Sequence, residues 1–246
     1  MDNMLAIVPA RTGSKGIPNK NFRSLADGAS AVERACSCAV EAGISDVVVT
    51  SDSLLALRNW ERSPCGTIRL CVALAPLHTD TCPMVDVVKD VLERVPGPPE
   101  QIIVLLQPTQ PLRTPAHILR AIWLLEESGA DSVVSVVELP RSHSPDWAYA
   151  IRPNGQLERW LEWYGWLDQW LAHVPPMPTR RQDLKPAYVR DGTVYAFWRE
   201  TLASGSLYGQ NCRALVIPPE DTCPLDTMAD WAEAERRLRE REIHTP

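Results

Sequence analysis

Four short apolar runs rich in Val and Ile set the rhythm of the chain: Met4 to Ala10, Asp46 to Thr50, Ile102 to Leu106 and Ser132 to Val137. Each is followed by a turn and a segment of helix length. Apolarity within the runs is continuous rather than alternating, as it is in strands buried on both faces. Strand, helix and strand in this order predict a parallel sheet with crossover helices. Helix starts are marked by Ser30 with Glu33 three residues on, by Thr114 followed by Pro115, and by Thr227 ahead of Asp230. Gly43 and Gly129 are expected to end two of the helices.

The rhythm breaks after Pro140. Arg141 to Pro186 carries few strand signals, several prolines and a concentration of tryptophan, and reads as an inserted arm. Within it Trp160, Trp163, Trp166 and Trp170 fall inside an arc of about 120° at about 100° per residue, joined by Leu167 and Leu171. Such a face suits a subunit interface, where buried Trp is enriched. Packing on the chain's own core and stacking on a ligand are the other two readings. Beyond the arm, Gly192 to Trp198 and Arg213 to Ile217 have strand character, and Met228 to Glu242 that of a closing helix with a solvated charged face.

Composition narrows the partners. The 246 residues, 45% hydrophobic and 23% charged, suffice for one sizeable core or two modest ones. Twenty-five Lys plus Arg against thirty-one Asp plus Glu leave a formal net charge of -6, so the molecule as a whole repels nucleic acid and acidic membrane. Any anion it binds needs a local basic pocket. Seven cysteines, with no CxxC pair and no His at ligand spacing, predict neither a disulfide framework nor a zinc site and suit a reduced cytoplasm. No apolar run approaches the roughly 18 residues that cross a bilayer. Met1-Asp2-Asn3 lacks the basic start of a secretory signal, so a soluble, untargeted protein is expected. HExxH and GxSxG are absent, which disfavours a zinc hydrolase and a serine esterase.

The sharpest chemistry lies in Arg11-Thr-Gly13-Ser14-Lys15-Gly16-Ile-Pro-Asn-Lys20-Asn21, directly behind the first predicted strand. Open α/β sheets bind ligands beyond the carboxyl ends of their strands. Gly13 and Gly16 let backbone N–H groups approach phosphate oxygens, Ser14 adds a donor, and Arg11, Lys15 and Lys20 supply charge that an acidic protein otherwise lacks. A polyphosphate is the expected guest. The order of lysine and glycines fits neither the Walker loop nor GxGxxG, which weakens ATPase and dinucleotide readings.

With this loop the chain resembles the acylneuraminate cytidylyltransferase family, the CMP-sialic acid synthetases and their relatives that activate legionaminic and pseudaminic acids. The likeness covers most of the chain. It includes Val49-Thr-Ser-Asp52-Ser53, Asp80-Thr81 with Asp86-Val87-Val88, Leu105-Leu-Gln107-Pro-Thr109-Gln-Pro-Leu-Arg113, Asp131-Ser132-Val-Val-Ser135, Arg180-Arg181-Gln182-Asp183-Leu184, Gly192-Thr-Val-Tyr195-Ala-Phe197 and Asp226-Thr227 leading to Asp230-Trp231. The resemblance implies a three-layer α/β sandwich with a mostly parallel, Rossmann-like sheet of the nucleotide-diphospho-sugar transferase type. Residues 1–246 would form a single cytidylyltransferase domain with 141–186 as a dimerisation arm, giving a homodimer.

By the same resemblance Arg11, Gly13, Ser14, Lys15 and Lys20 would hold the CTP phosphates, Asn21 would touch cytosine, and Gln107 and Tyr195 would contact the sugar acid. Gln107 can also be read as closing a proline-rich turn, and Arg113 as bracing it. Arg180, Arg181 and Gln182 lie where the family brings a neighbouring subunit over the active site. Arg181, or Arg180, can grip a carboxylate in two parallel hydrogen bonds; a salt-bridged surface pair is the alternative. Mg2+ is the implied cofactor, held in part by Asp226.

Three positions depart from the family pattern. The first aspartate of its Asp-x-Asp-Thr motif is Pro224 here, leaving Asp226 as a metal ligand or a helix cap, with Asp221 or Glu220 as a second carboxylate if the loop folds back. Ala73-Leu74 replaces an Arg-Pro pair, and Asp191 an asparagine. The expected reaction couples CTP to a nonulosonic acid, the anomeric hydroxyl attacking the α-phosphate in line and pyrophosphate leaving past Arg11, Lys15 and Lys20. The general base is left open. The rival readings are the same chemistry on a Kdo-like keto-sugar acid or a phosphonate, and a catalytically silent CTP-binding paralogue.

Overall fold

The computed structural model describes residues 3–14, 16–53, 56, 68–72, 81–160 and 178–244. They belong to two compact units, one of residues 1–136 with 190–246, the other of residues 137–189. Expectations placed on Lys15, Ala73, Leu74, Asp80 and the tryptophans beyond Trp160 in the arm lie outside the described residues.

The larger unit is built on one seven-stranded sheet. Its strands are β1 (Met4–Pro9), β2 (Val47–Ser51), β3 (Ile68–Val72), β4 (Ile102–Leu105), β5 (Ser132–Glu138), β8 (Tyr188–Trp198) and β9 (Cys212–Val216), while β6 (Tyr149–Ile151) and β7 (Leu157–Arg159) pair apart from it. The order across the sheet is β3-β2-β1-β4-β8-β5-β9. β1, β2, β3 and β4 run parallel, as do β5 and β9, and β8 is antiparallel to β4.

Continuous apolar runs bury both faces of this sheet. Met4, Ala6 and Val8 of β1 pack on one side with α1 (Ala31–Glu41), while Leu5 and Ile7 pack on the other with α2 (Met84–Arg94). α3 (Pro115–Ser128) joins α1 on the first face, completing three layers. A third cluster forms beneath the closing helix α4 (Met228–His244), where Trp231, Ala234 and Leu238 cover Ile17, Leu112 and Leu225. Among the described residues no helix is long and apolar enough to cross a membrane.

Local signals act where the sequence put them. Ser30 and Glu33 make a reciprocal capping box at α1, and Thr114 makes one at α3 with His117 in place of an acidic partner. Gly129 ends α3 in the left-handed region at φ 60°. In the larger unit, β3 and α2 lack a sequence expectation. β3 is an edge strand whose half-exposed apolar run is interrupted by Arg69, and α2 starts at Pro83 with no side-chain cap.

The smaller unit contains the β6–β7 hairpin, closed by Asn154-Gly155 with Gly155 at φ 84°. Gly155 N–H donates to the Arg152 carbonyl at 2.8 Å, which puts Pro153 and Asn154 at the centre of the turn and leaves Gly155 to take the left-handed conformation after it; Asn154 Oδ1 accepts from the Gln156 N–H at 3.0 Å. Among the described residues of this segment the strands are this one hairpin, too short to give a periodic signal, in keeping with the few strand signals of the sequence.

Candidate active site

The cationic loop leaves β1 between two straps. Ala10 N–H donates to the Thr50 carbonyl at 2.7 Å, and Thr12 donates to the Asp52 carboxylate from its N–H at 2.7 Å and from its hydroxyl at 3.1 Å. β1 and β2 are adjacent and parallel, so Asp52 emerges beside the loop at the same end of the sheet. Asn21, buried at the far end of the loop, donates from Nδ2 to the Arg11 carbonyl at 2.8 Å. Its Oδ1 is buried without a hydrogen-bond partner among the described residues. Arg11 and Gly13 are exposed and Ser14 half-buried. A cavity of about 790 Å³ flanks the loop, lined in part by Thr12, Asn19, Phe22, Arg23 and Ser53.

The loop is clamped onto the segment that precedes α4. Ile17 is fully buried against the cluster that holds Leu225 and Trp231, and Lys20 Nζ donates to the Leu225 carbonyl and lies 3.4 Å from Asp226 Oδ1. A side chain at Gly16 would run into the Asp226 carbonyl, so the close approach requires glycine. The structure therefore brings Lys20, Gly16 and Asp226 together across the length of the chain.

Asp226 itself is 75% exposed and does not cap the helix. That role falls to Thr227 and Asp230: Asp230 Oδ2 accepts from the Thr227 N–H at 2.7 Å and its hydroxyl at 2.8 Å, and Thr227 Oγ1 accepts from the Asp230 N–H at 3.2 Å. The Thr227 hydroxyl bond, ahead of the backbone bonds, holds the Asp230 carboxyl below its ordinary range. Asp221 is engaged elsewhere, by Arg241 at 2.5 Å and by His117 Nε2 at 3.2 Å, and supplies no second carboxylate beside Asp226. Among the described residues no three His, Cys, Asp or Glu side chains form a metal cluster.

Gln107 follows β4 at the same edge of the sheet. Arg113, 7% exposed, donates from Nε to the Thr193 carbonyl at 2.5 Å and from Nη2 to the Gln107 carbonyl, bracing the proline-rich turn. Burial pulls its pKa down to about 10, still far above neutrality. Leu225 N–H donates to the Thr109 carbonyl at 2.9 Å, tying this turn to the Asp226 segment as well.

Because β8 runs antiparallel to β4, its early residues arrive where Gln107 stands. Leu105 registers with Tyr195, and Gly192, at φ 81°, is packed against the Gln107 side-chain amide. Asp191 accepts from the Thr193 N–H at 3.2 Å and from the Thr193 hydroxyl. Its two carboxylate oxygens meet two donors, a physical account of aspartate at this bend. Burial, more than the neighbouring Tyr208, raises the pKa of the Tyr195 hydroxyl. Arg190 Nη1 donates to the Tyr208 hydroxyl and its guanidinium lies 5.6 Å from the Tyr208 ring centroid. Neither Arg190 nor the Asp52 strap carries a role in the sequence reading; spacing along the chain does not reveal pairs that only the sheet brings together.

In the smaller unit Arg180 forms a two-bond ion pair with Asp183, at 2.8 and 3.0 Å, and Arg181 and Gln182 sit exposed on a single 3-10 turn.

A mostly parallel α/β sheet with a glycine-containing cationic loop behind its first strand defines the class. The chain belongs to the cytidylyltransferase family, whose model matches residues 5–145. It is 28% identical over 259 residues to CMP-N,N'-diacetyllegionaminic acid synthase of Legionella pneumophila, covering 96% of each chain. It is 30% identical over 238 residues to N-acylneuraminate cytidylyltransferase of Streptococcus agalactiae, covering 92% of this chain and 51% of that protein, so it spans about half the length of that relative. The fold is similar to that of a CMP-2-keto-3-deoxy-manno-octonic acid synthetase solved with CTP, with a TM-score of 0.69 over 97% of this chain and 99% of that one at 15% identity.

Proposed function

We propose that this chain couples CTP to a nonulosonic, sialic-type sugar acid, giving the CMP-sugar and pyrophosphate. The observation that carries the reading is the clamp between the cationic loop and Asp226 in a member of the cytidylyltransferase family. The near full-length likeness to a legionaminic acid synthase supports the acid class.

In this reading Arg11, Ser14, Lys15 and Lys20 take the triphosphate, with Gly13 and Gly16 letting the backbone come close. The buried, unpartnered Oδ1 of Asn21 suits the exocyclic amino group of cytosine. Gln107 faces the acid, and Tyr195, buried in the apolar cluster, backs the pocket rather than lining it openly. The anomeric hydroxyl oxygen attacks the α-phosphorus in line; its bond to phosphorus forms as the bond to the bridging oxygen of the leaving pyrophosphate breaks. The loop cations stabilise the charge that develops on that leaving group. Asp226, a single exposed carboxylate opposite the phosphate loop, fits Mg2+, which accepts one or two protein carboxylates beside phosphate oxygens and water. When bound, the ion supplies charge neutralisation at the phosphates.

Residues 141–186 act as the dimerisation arm, a role supported by exposed Tyr149, Ile151, Leu157 and Trp160. Arg180 already engages Asp183, so Arg181 with Gln182 is the better placed to meet the acid of a partner subunit. A reduced, cytoplasmic setting belongs to the same reading, and the described cysteines are all free thiols.

Pyrophosphate release from CTP and Mg2+ with a panel of acids tests it. Release with N-acetylneuraminate or N,N'-diacetyllegionaminate is the expected result. Release with Kdo or a phosphonate alone would reassign the acid, and CTP binding without release from any acid would make the chain a silent paralogue.

A further inference from the structure

Arg190 precedes the Asp191-Gly192 bend of β8 and, among the described residues, makes no ion pair; its partner is the neutral Tyr208, through the hydroxyl and through the ring. The carboxylate next to it in sequence, Asp191, accepts instead from Thr193. Among the described residues, then, the charge of Arg190 meets no ion-pair partner, and its side chain is exposed, in a protein of net charge -6.

The donors that remain are arranged for an anion. A guanidinium carries five N–H donors in a planar fork, of which one meets Tyr208. Tyr208 accepts that bond through its oxygen and keeps its own hydrogen to donate. A fork and a phenol side by side match the two oxygens of a carboxylate better than the scattered hydroxyls of a neutral sugar.

Placement separates this pair from the triphosphate. β8 lies two strands from β1, roughly 10 Å across the sheet, with β4 and Gln107 between them. The bend that carries Arg190 is the one whose Gly192 packs on the Gln107 amide. Rigidity comes from below, where Tyr195 is buried and Tyr208 packs against the same apolar cluster.

We infer that Arg190, oriented by Tyr208, is a specificity-determining residue that grips the carboxylate of the acceptor acid from within the same chain. This rests on the reading of the chain as an acid-activating cytidylyltransferase.

The test measures pyrophosphate release by the parent, Arg190→Gln, Arg190→Lys and Tyr208→Phe proteins. The probes are N-acetylneuraminate and N,N'-diacetyllegionaminate, each beside its uncharged C1 carboxamide. Arg190→Gln raises KM for the acid roughly tenfold to hundredfold, the effect of losing a charged hydrogen-bond partner. It leaves KM for CTP and the melting temperature in place and abolishes the parent's preference for acid over carboxamide. Arg190→Lys recovers part of the loss, keeping charge without the fork. Tyr208→Phe, which retains the ring, gives a smaller rise in the same constant. An unchanged KM for the acid in Arg190→Gln, an equal loss for acid and carboxamide, or a parallel rise in KM for CTP overturns the clamp. A parent inactive with both acids overturns the functional reading, and the clamp with it.

Discussion

Lys20 Nζ donates to the carbonyl of Leu225 and lies 3.4 Å from Asp226 Oδ1, joining the loop behind the first strand to the segment before the last helix. One ammonium group thus sets the distance between the cationic loop and the carboxylate opposite it. Its side chain is 14% exposed and that of Asp226 75%, so the pair is weak as a stabilising bridge and strong as a positioning device.

Replacing Lys20 by Met keeps the aliphatic stem and removes the charge. Turnover of CTP is expected to fall by about two to three orders of magnitude, as when a preorganised electrostatic donor is lost. Stability should change by less than about 1 kcal/mol. Steady-state kinetics beside urea unfolding check this, and a loss of activity that tracks a loss of folded protein would contradict it.

Asp226→Asn should move the Mg2+ dependence of the rate to about tenfold higher concentration or more, by loss of a charged partner. The unfolding curve should stay put, because Thr227 and Asp230 cap α4. Thr227→Ala is the converse control, costing about 1 kcal/mol of stability as other lost caps do. An unchanged metal titration in Asp226→Asn would remove its assigned role.

At Gly192 the backbone stands at φ 81° with the Gln107 side chain against it. Alanine there pays the left-handed penalty of about 1–2 kcal/mol and pushes Gln107 away. Lower stability together with a raised KM for the acid, and an unaltered KM for CTP, is the expected pattern in denaturation and kinetics.

His117 gives the protein a pH-sensitive joint. Its Nδ1 accepts from the Thr114 N–H at 3.2 Å, which leaves the ring proton on Nε2 to donate to Asp221. Burial lowers its pKa more than Asp221 raises it. The native state therefore binds fewer protons than the unfolded chain at this site, and the stabilisation is complete above the unfolded value of about 6.5 and lost as pH falls below it. Urea midpoints should drop more steeply on acidification in the parent than in His117→Gln, which cannot charge; parallel curves would dismiss the joint.

The strands at Met4, Val47, Ile102 and Ser132 were legible because burial on both faces demands unbroken apolar runs, and caps at Ser30, Thr114 and Thr227 because each is a bond between residues three apart. Edge strand β3 and the Asn154-Gly155 hairpin were not, since one mixes exposed and buried positions and the other spans too few residues for a period to develop.

The site divides along the same line. Chain order alone determined where the cations and glycines gather, because Arg11, Gly13, Ser14, Gly16 and Lys20 are neighbours on one loop. Only the tertiary structure decided what they face. Asp52, Gln107, Arg190 and Asp226 come from separate segments, and strand order, the antiparallel course of β8 and the burial of Ile17 beneath α4 bring them to one end of the sheet. Local bonding writes itself into sequence; contacts made by packing across the sheet do not.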